Sequence, residues 1–160
     1  MSTFNKHLDR ILMYSLAFLF AVMIADIFLQ VIARNILHLA LTWTPDIAQL
    51  MFSWTVFLGA AAAIRRGAHY HLDLLPRHFK VGNAVLMMTC HLGAVFVVGI
   101  LLLNGWEFLG LGMTRSPQAL PMTEFWFFLP IPLGALIMAC FLMELIPNDL
   151  GKLRKAMRGE

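Results

Sequence analysis

Three sets of side chains in this sequence could do chemistry. Asp26, Gln30 and Arg34 recur every four residues, so they share one face of any helix that carries them. A carboxylate, an amide and a guanidinium in line could pass a proton or an ion. The same three could equally form a polar seam against which another helix packs. The seam suits them better, because nothing else in the chain continues a relay. Six histidines raise a second possibility, haem, which in four-helix membrane cytochromes needs paired histidines facing each other across helices. Only His91 sits deep in an apolar run, while His38, His69, His71 and His78 fall at ends or connections. A single central histidine cannot ligate iron from both sides, so His91 is expected to hydrogen-bond across a helix interface. Third, Arg65 and Arg66 close an uncharged run and lead into His69 and Asp73, a polar cluster at a basic gate.

The rest of the residue inventory excludes most enzymes. No GxGxxG, Walker A, HExxH or GxSxG occurs, so nucleotide, metalloprotease and serine-hydrolase chemistry have no signature. Cys90 and Cys140 lie in long apolar runs without CxxC spacing and read as small buried side chains. Basic and aromatic residues do not interleave as they do in nucleic-acid binders. The chain is expected to be no enzyme and to hold no cofactor.

The elements that position these residues follow from composition. Of 160 residues, 60% are hydrophobic and 13% charged, about half the usual charged share for a soluble domain. Mean hydropathy is +0.76. A soluble core cannot hide that much apolar surface, so lipid must be the solvent for much of it. The pattern predicts one all-α membrane domain over residues 1–160 with four transmembrane helices, at about 11–36, 45–66, 82–106 and 123–146. The first begins like a signal peptide, but its apolar pattern runs past Asp26 without a cleavage site, so an uncleaved helix is expected. Thr44, Pro45 and Asp46 fit the N-cap and first turn of the second, and Gly67 its C-terminal stop. A short interfacial segment, broken by Pro76, should join helices two and three. Gly110, Gly112, Pro117 and Pro121 predict an ordered turn over 107–122. Pro130 and Pro132 should bend the fourth helix and Pro147 should end it.

Small residues supply packing faces: Gly59 with Ala63 on the second helix, and Gly134 with Ala139 on the fourth. Lys6, Arg10, Arg65, Arg66, Arg77, Lys80, Lys152, Arg154, Lys155 and Arg158 all fall on one side. Only Arg115 lies in the opposite loops, with Arg34 just inside the first helix. The positive-inside rule therefore places both termini in the cytoplasm. Trp43, Trp106 and Trp126 would form an aromatic belt at the outer ends of the helices. Four spans without an internal repeat are slight for an autonomous carrier. The packing faces suggest a subunit that leans on a larger membrane protein.

Three blocks of sequence then carry a family resemblance. They are LQVIARNIL at 29–37, WTPDIAQLMFSWTVFLGAAAAIRRGAHYHLDLL at 43–75, and SPQALPM at 116–122 followed by IPLGALIM at 131–138. In that order and on four spans, they resemble the DctQ-like small permease subunit of tripartite ATP-independent periplasmic (TRAP) transporters. Asp46 stands where that family usually has Glu, Asn35 replaces an aromatic, and Gln49 stands where Arg is frequent. The resemblance implies residence in the bacterial inner membrane beside a large multispanning permease (M) subunit, which would hold the substrate and sodium sites. It also implies a periplasmic substrate-binding protein (P) that delivers an organic acid such as a dicarboxylate or sialic acid. Asp26, Gln30 and Arg34 with Gly59, Ala63, Gly134 and Ala139 would then serve helix packing or the partner interface. Arg65, Arg66, His69 and Asp73 would anchor the cytoplasmic turn through headgroups or the large subunit. Arg115, Ser116, Pro117, Pro121 and Glu124 would meet the binding protein. A membrane anchor for a haem or quinone redox complex is the alternative reading.

Overall fold

The computed structural model describes residues 3–66 and 80–157, and these are helical almost throughout. The elements are α1 (Thr3–Asn35), α2 (Thr44–Arg65), α3 (Lys80–Thr114), the single turn α4 (Phe125–Phe128) and α5 (Pro130–Met157). Four stretches, His7–Asn35, Thr44–Arg65, Met88–Thr114 and Phe125–Pro147, are long and apolar enough to cross a membrane. The expected fold class and the four spans are present. The expected interfacial segment, with Gly67, His69 and Asp73, lies outside the described residues.

Several boundaries differ from expectation, each for a physical reason. α1 starts at Thr3 rather than near residue 11, because the polar leader continues the helix instead of preceding it. α3 does not stop near residue 106 but runs to Thr114 through Gly105, Gly110 and Gly112. Two of these glycines serve close packing, not a turn. A Cβ on Gly112 would meet the Phe125 nitrogen at 2.9 Å, and one on Gly105 would meet Pro132 at 3.2 Å. The fourth span is broken at Leu129, where α4 ends and α5 restarts at Pro130. Proline at 130 has no N–H for the Trp126 carbonyl, and the Trp54 indole donates to that carbonyl instead, at 3.1 Å. The Ser53 hydroxyl donates to the next carbonyl, Phe127, at 2.7 Å. Neighbouring side chains thus satisfy the backbone at the break, as hydrocarbon requires. Pro147 does not end α5, which continues to Met157. The carbonyl it deprives, that of Met143, belongs to an exposed residue, so the helix tolerates the missing donor.

Thr44 is not the expected N-cap. Trp43 holds that position without a side-chain hydrogen bond, and the Thr44 hydroxyl donates backwards to the Leu41 carbonyl at 3.0 Å. At the end of α1 the chain turns through His38, whose φ of 53° lies in the left-handed region. There the Leu39 N–H reaches back to the Ala33 carbonyl at 2.9 Å.

The helices form an open row. α1 packs on α2, α2 on α5, and α5 on α3, with α4 wedged beside α3. α2 and α5 run parallel, since Ser53 meets Phe127, Phe57 meets Gly134 and Arg65 meets Glu144. α1 and α3 run the other way and form the flanks. The core lies along the α2–α5 seam, where Ala61 and Phe141 are fully buried beside Leu58 and Met138, and Ala135 on α5 is fully buried as well. Lipid tails are as apolar as these side chains, so close fit rather than water exclusion holds the seam together. A groove of about 460 Å³ lies between α2 and α3, lined by Phe57, Ala60, Ile64, Cys90 and Val97 with Met138 as its floor.

Candidate functional site: clasps at the two ends of the bundle

At the basic end, the polar groups lock helices to one another. Arg65, the last residue of α2, is turned inward and buried, with Nη1 3.2 Å from Oε2 of Glu144. The Asn5 amide donates to the same carboxylate oxygen. The Phe141 ring lies 5.4 Å from the guanidinium carbon, adding a cation–π contact. One carboxylate on α5 therefore ties α1 and α2 to it. The chain is built for this locally: Phe141 and Glu144 are three residues apart on α5, so both face the same point on α2. Arg65 was expected to reach headgroups or a partner. Its guanidinium is spent inside the chain, because the only acid in the fourth span needs a cation beside it. Its neighbour Arg66 is exposed and stands 3.9 Å from Asp9 of α1.

At the opposite end a second carboxylate does similar work. Asp46 Oδ2 accepts the Ala119 N–H at 2.8 Å and the Leu120 N–H at 3.3 Å. It holds the 116–121 turn down on the first turn of α2. The Glu124 N–H donates to the Arg115 carbonyl at 3.0 Å and closes the same turn from its other end. This clasp leaves Arg115, Ser116 and Pro121 exposed and Pro117 and Glu124 half-buried. All five residues expected to face a binding protein therefore lie on or beside one braced turn. Replacing Asp46 with alanine should leave two N–H groups without their charged acceptor, a local cost of about 1.5–3 kcal/mol for bonds to a charged group. Amide hydrogen exchange at 119 and 120 should accelerate while the Arg65 end stays protected. Unchanged exchange there would mean the carboxylate does not hold the turn.

The remaining expected residues are distributed as follows. Asp26 is 7% exposed and its Oδ2 has no hydrogen-bond partner, Gln30 is half-buried, and Arg34 is exposed. Among the described residues no hydrogen bond or ion pair joins the three along α1. Gly59 faces Leu16 of α1, where a Cβ would sit 3.9 Å away, and Gly134 is closed against Phe57 of α2. Both glycines thus serve contacts within the chain. Ala63 and Ala139 are half-buried. His91 is buried in α3, and both cysteines are free and half-buried. Of the expected belt, Trp43 and Trp126 lie at helix ends, at the starts of the second and fourth spans. Trp106 is two turns inside α3, and the Trp126 backbone is hydrogen-bonded to Trp54 midway along α2.

Sequence reasoning missed Glu144, Asn5, Phe141, Ser53 and the clasping role of Asp46. A signal for Glu144 existed: it is the one acid in an otherwise uncharged span, which in hydrocarbon demands a partner. Nothing local points to Asn5 as that partner, since it lies 139 residues away.

The model of the family described as tripartite ATP-independent periplasmic transporters, DctQ component, matches residues 23–150. The chain is also similar to the sialic acid TRAP transporter small permease protein SiaQ of Vibrio cholerae. The two are 22% identical over 134 residues, covering 81% of this chain and 76% of that one.

Proposed function

The chain belongs to the DctQ components of tripartite ATP-independent periplasmic transporters, and from that premise we propose that it braces a large multispanning permease subunit during binding-protein-dependent uptake of an organic acid. The observation that carries this reading is the open row. Four spanning helices packed in the order α1, α2, α5, α3 and clasped at both ends by half-buried carboxylates make a braced plate with two open flanks. A plate of this kind suits a fixed support against which a moving partner works.

The other parts of the reading rest on chemistry and resemblance. The basic end, with Arg10 and Arg66 exposed, faces the cytoplasm by the positive-inside rule, in the bacterial inner membrane. The braced 116–121 turn then faces the periplasm, where a substrate-binding protein docks. Sodium and substrate bind on the large subunit. Similarity to a sialic acid TRAP transporter small permease makes sialic acid the first substrate to try, with dicarboxylates next.

Reconstitution tests all of this. Proteoliposomes holding this chain with its large subunit, supplied with binding protein and an inward sodium gradient, should take up labelled substrate. Omitting this chain should lower the rate at least tenfold. Equal uptake without it, or solute movement by this chain alone, would overturn the proposal.

A further inference from the structure

Both flanks of the row are open and apolar, and they differ in where their exposed polar side chains lie. The outward side of α1 presents Tyr14, Phe18, Ile24 and Phe28, at 72%, 69%, 52% and 65% exposed, a surface suited to acyl chains. Its exposed cations lie toward its two ends, Arg10 in the basic end and Arg34 as the next-to-last residue of the helix, where headgroups are within reach. The outward side of α3 is as apolar, with Phe96 and Leu103 at 70% and 79% exposed, but it also carries a polar pair partway along the helix. Asn104 and Glu107 are both exposed and three residues apart, on the same side as Ile100 and Leu111.

Glu107 lies within the Met88–Thr114 stretch, seven residues and about 10 Å along the helix from its Thr114 end. Gly105, two residues earlier, is closed against Pro132 on the opposite side of the helix, so Glu107 points away from the bundle. Among the described residues no ion pair or hydrogen bond engages its carboxylate, and the Asn104 amide donates only to its own helix, at Ile100. A charged group at that depth faces protein or finds an opposite charge. A symmetric pairing of two copies through this edge would bring two Glu107 carboxylates together, which like-charge repulsion opposes.

We propose that the outward edge of α3 is the docking edge for the large permease subunit, with Glu107 and Asn104 meeting a cation or hydrogen-bond donor on one of its transmembrane helices. This rests on the reading of the chain as a transporter subunit. It assigns α1 to lipid and α3 to protein.

The test uses the intact complex, co-expressed in membranes. A photoreactive benzoylphenylalanine is placed at Leu103 or Leu111 on α3, and at Phe18 or Phe28 on α1. Irradiation should give adducts with the large subunit at least tenfold stronger from the α3 positions. Glu107→Lys should lower co-purification of the large subunit at least tenfold, and Glu107→Gln less, with helicity and monodispersity of this chain unchanged. Large-subunit adducts from α1 alone, or full co-purification of Glu107→Lys, would overturn the edge assignment while leaving the subunit reading intact. Adducts at α3 with lipid or a second copy only would do the same if any other helix yields the large subunit. Absence of large-subunit adducts from both helices, together with failure of the well-folded parent chain to co-purify the large subunit, would remove the subunit reading itself.

Discussion

Glu144→Ala should be the most damaging single substitution in the described chain. It removes the carboxylate that Arg65 and Asn5 share and leaves a guanidinium whose side chain is 5% exposed without its counter-charge. Breaking a buried pair by deleting one member costs about 3–5 kcal/mol, because the surviving charge is stranded where solvent cannot reach it. The Phe141 ring softens the loss but cannot supply an anion. Because Asn5, Arg65 and Glu144 belong to α1, α2 and α5, the damage should spread across three helices. Thermal unfolding in mild detergent, followed by loss of the monodisperse peak, reads the effect directly. A double variant, Arg65→Met with Glu144→Leu, separates charge from packing. It removes both ions together, and similar-volume apolar replacements of buried pairs are frequently neutral. It should therefore recover much of the lost stability. If Glu144→Ala unfolds no earlier than the parent chain, the pair is not what holds this end together.

The second large effect is expected at Gly134. A Cβ there would stand 2.8 Å from the Phe57 Cβ and 3.2 Å from the Phe57 carbonyl oxygen. The obstacle includes backbone, so a rotamer change cannot relieve it, and α2 and α5 must separate. Overpacking of this kind costs about 1–3 kcal/mol. In lipid, where close fit supplies much of the attraction between helices, separating the central pair removes other contacts along the seam as well. Gly134→Val should therefore lower thermal stability clearly. Gly99→Ala provides the contrast, since nothing lies within 4 Å of its added Cβ. That change should be neutral, or stabilising by up to about 1 kcal/mol through helix propensity. Equal behaviour of the two variants would show that the seam is looser than the structure has it.

These two sites mark where sequence reading ends. Long apolar runs, uncharged in the second, third and fourth spans and interrupted by Asp26 in the first, mark four spans, because burial in hydrocarbon depends on each segment's own side chains. The ten cations on one side fix a common end for the two termini, again by local counting. The family resemblance in the 43–75 block was likewise legible, because it lies in types and spacing within single segments.

Tertiary structure decided everything that needed two segments at once. Gly112 and Pro121 read alike as turn formers, yet one sits inside a helix against Phe125 and the other in a loop. Only the neighbour tells them apart. Arg65 and Arg66 are adjacent and chemically identical, but the helix turns one toward Glu144 and the other outward. Which way each faces depends on the register of α2 against α5, separated by 79 residues in the chain. Hydropathy belongs to one segment; a contact belongs to two, and only folding supplies the second.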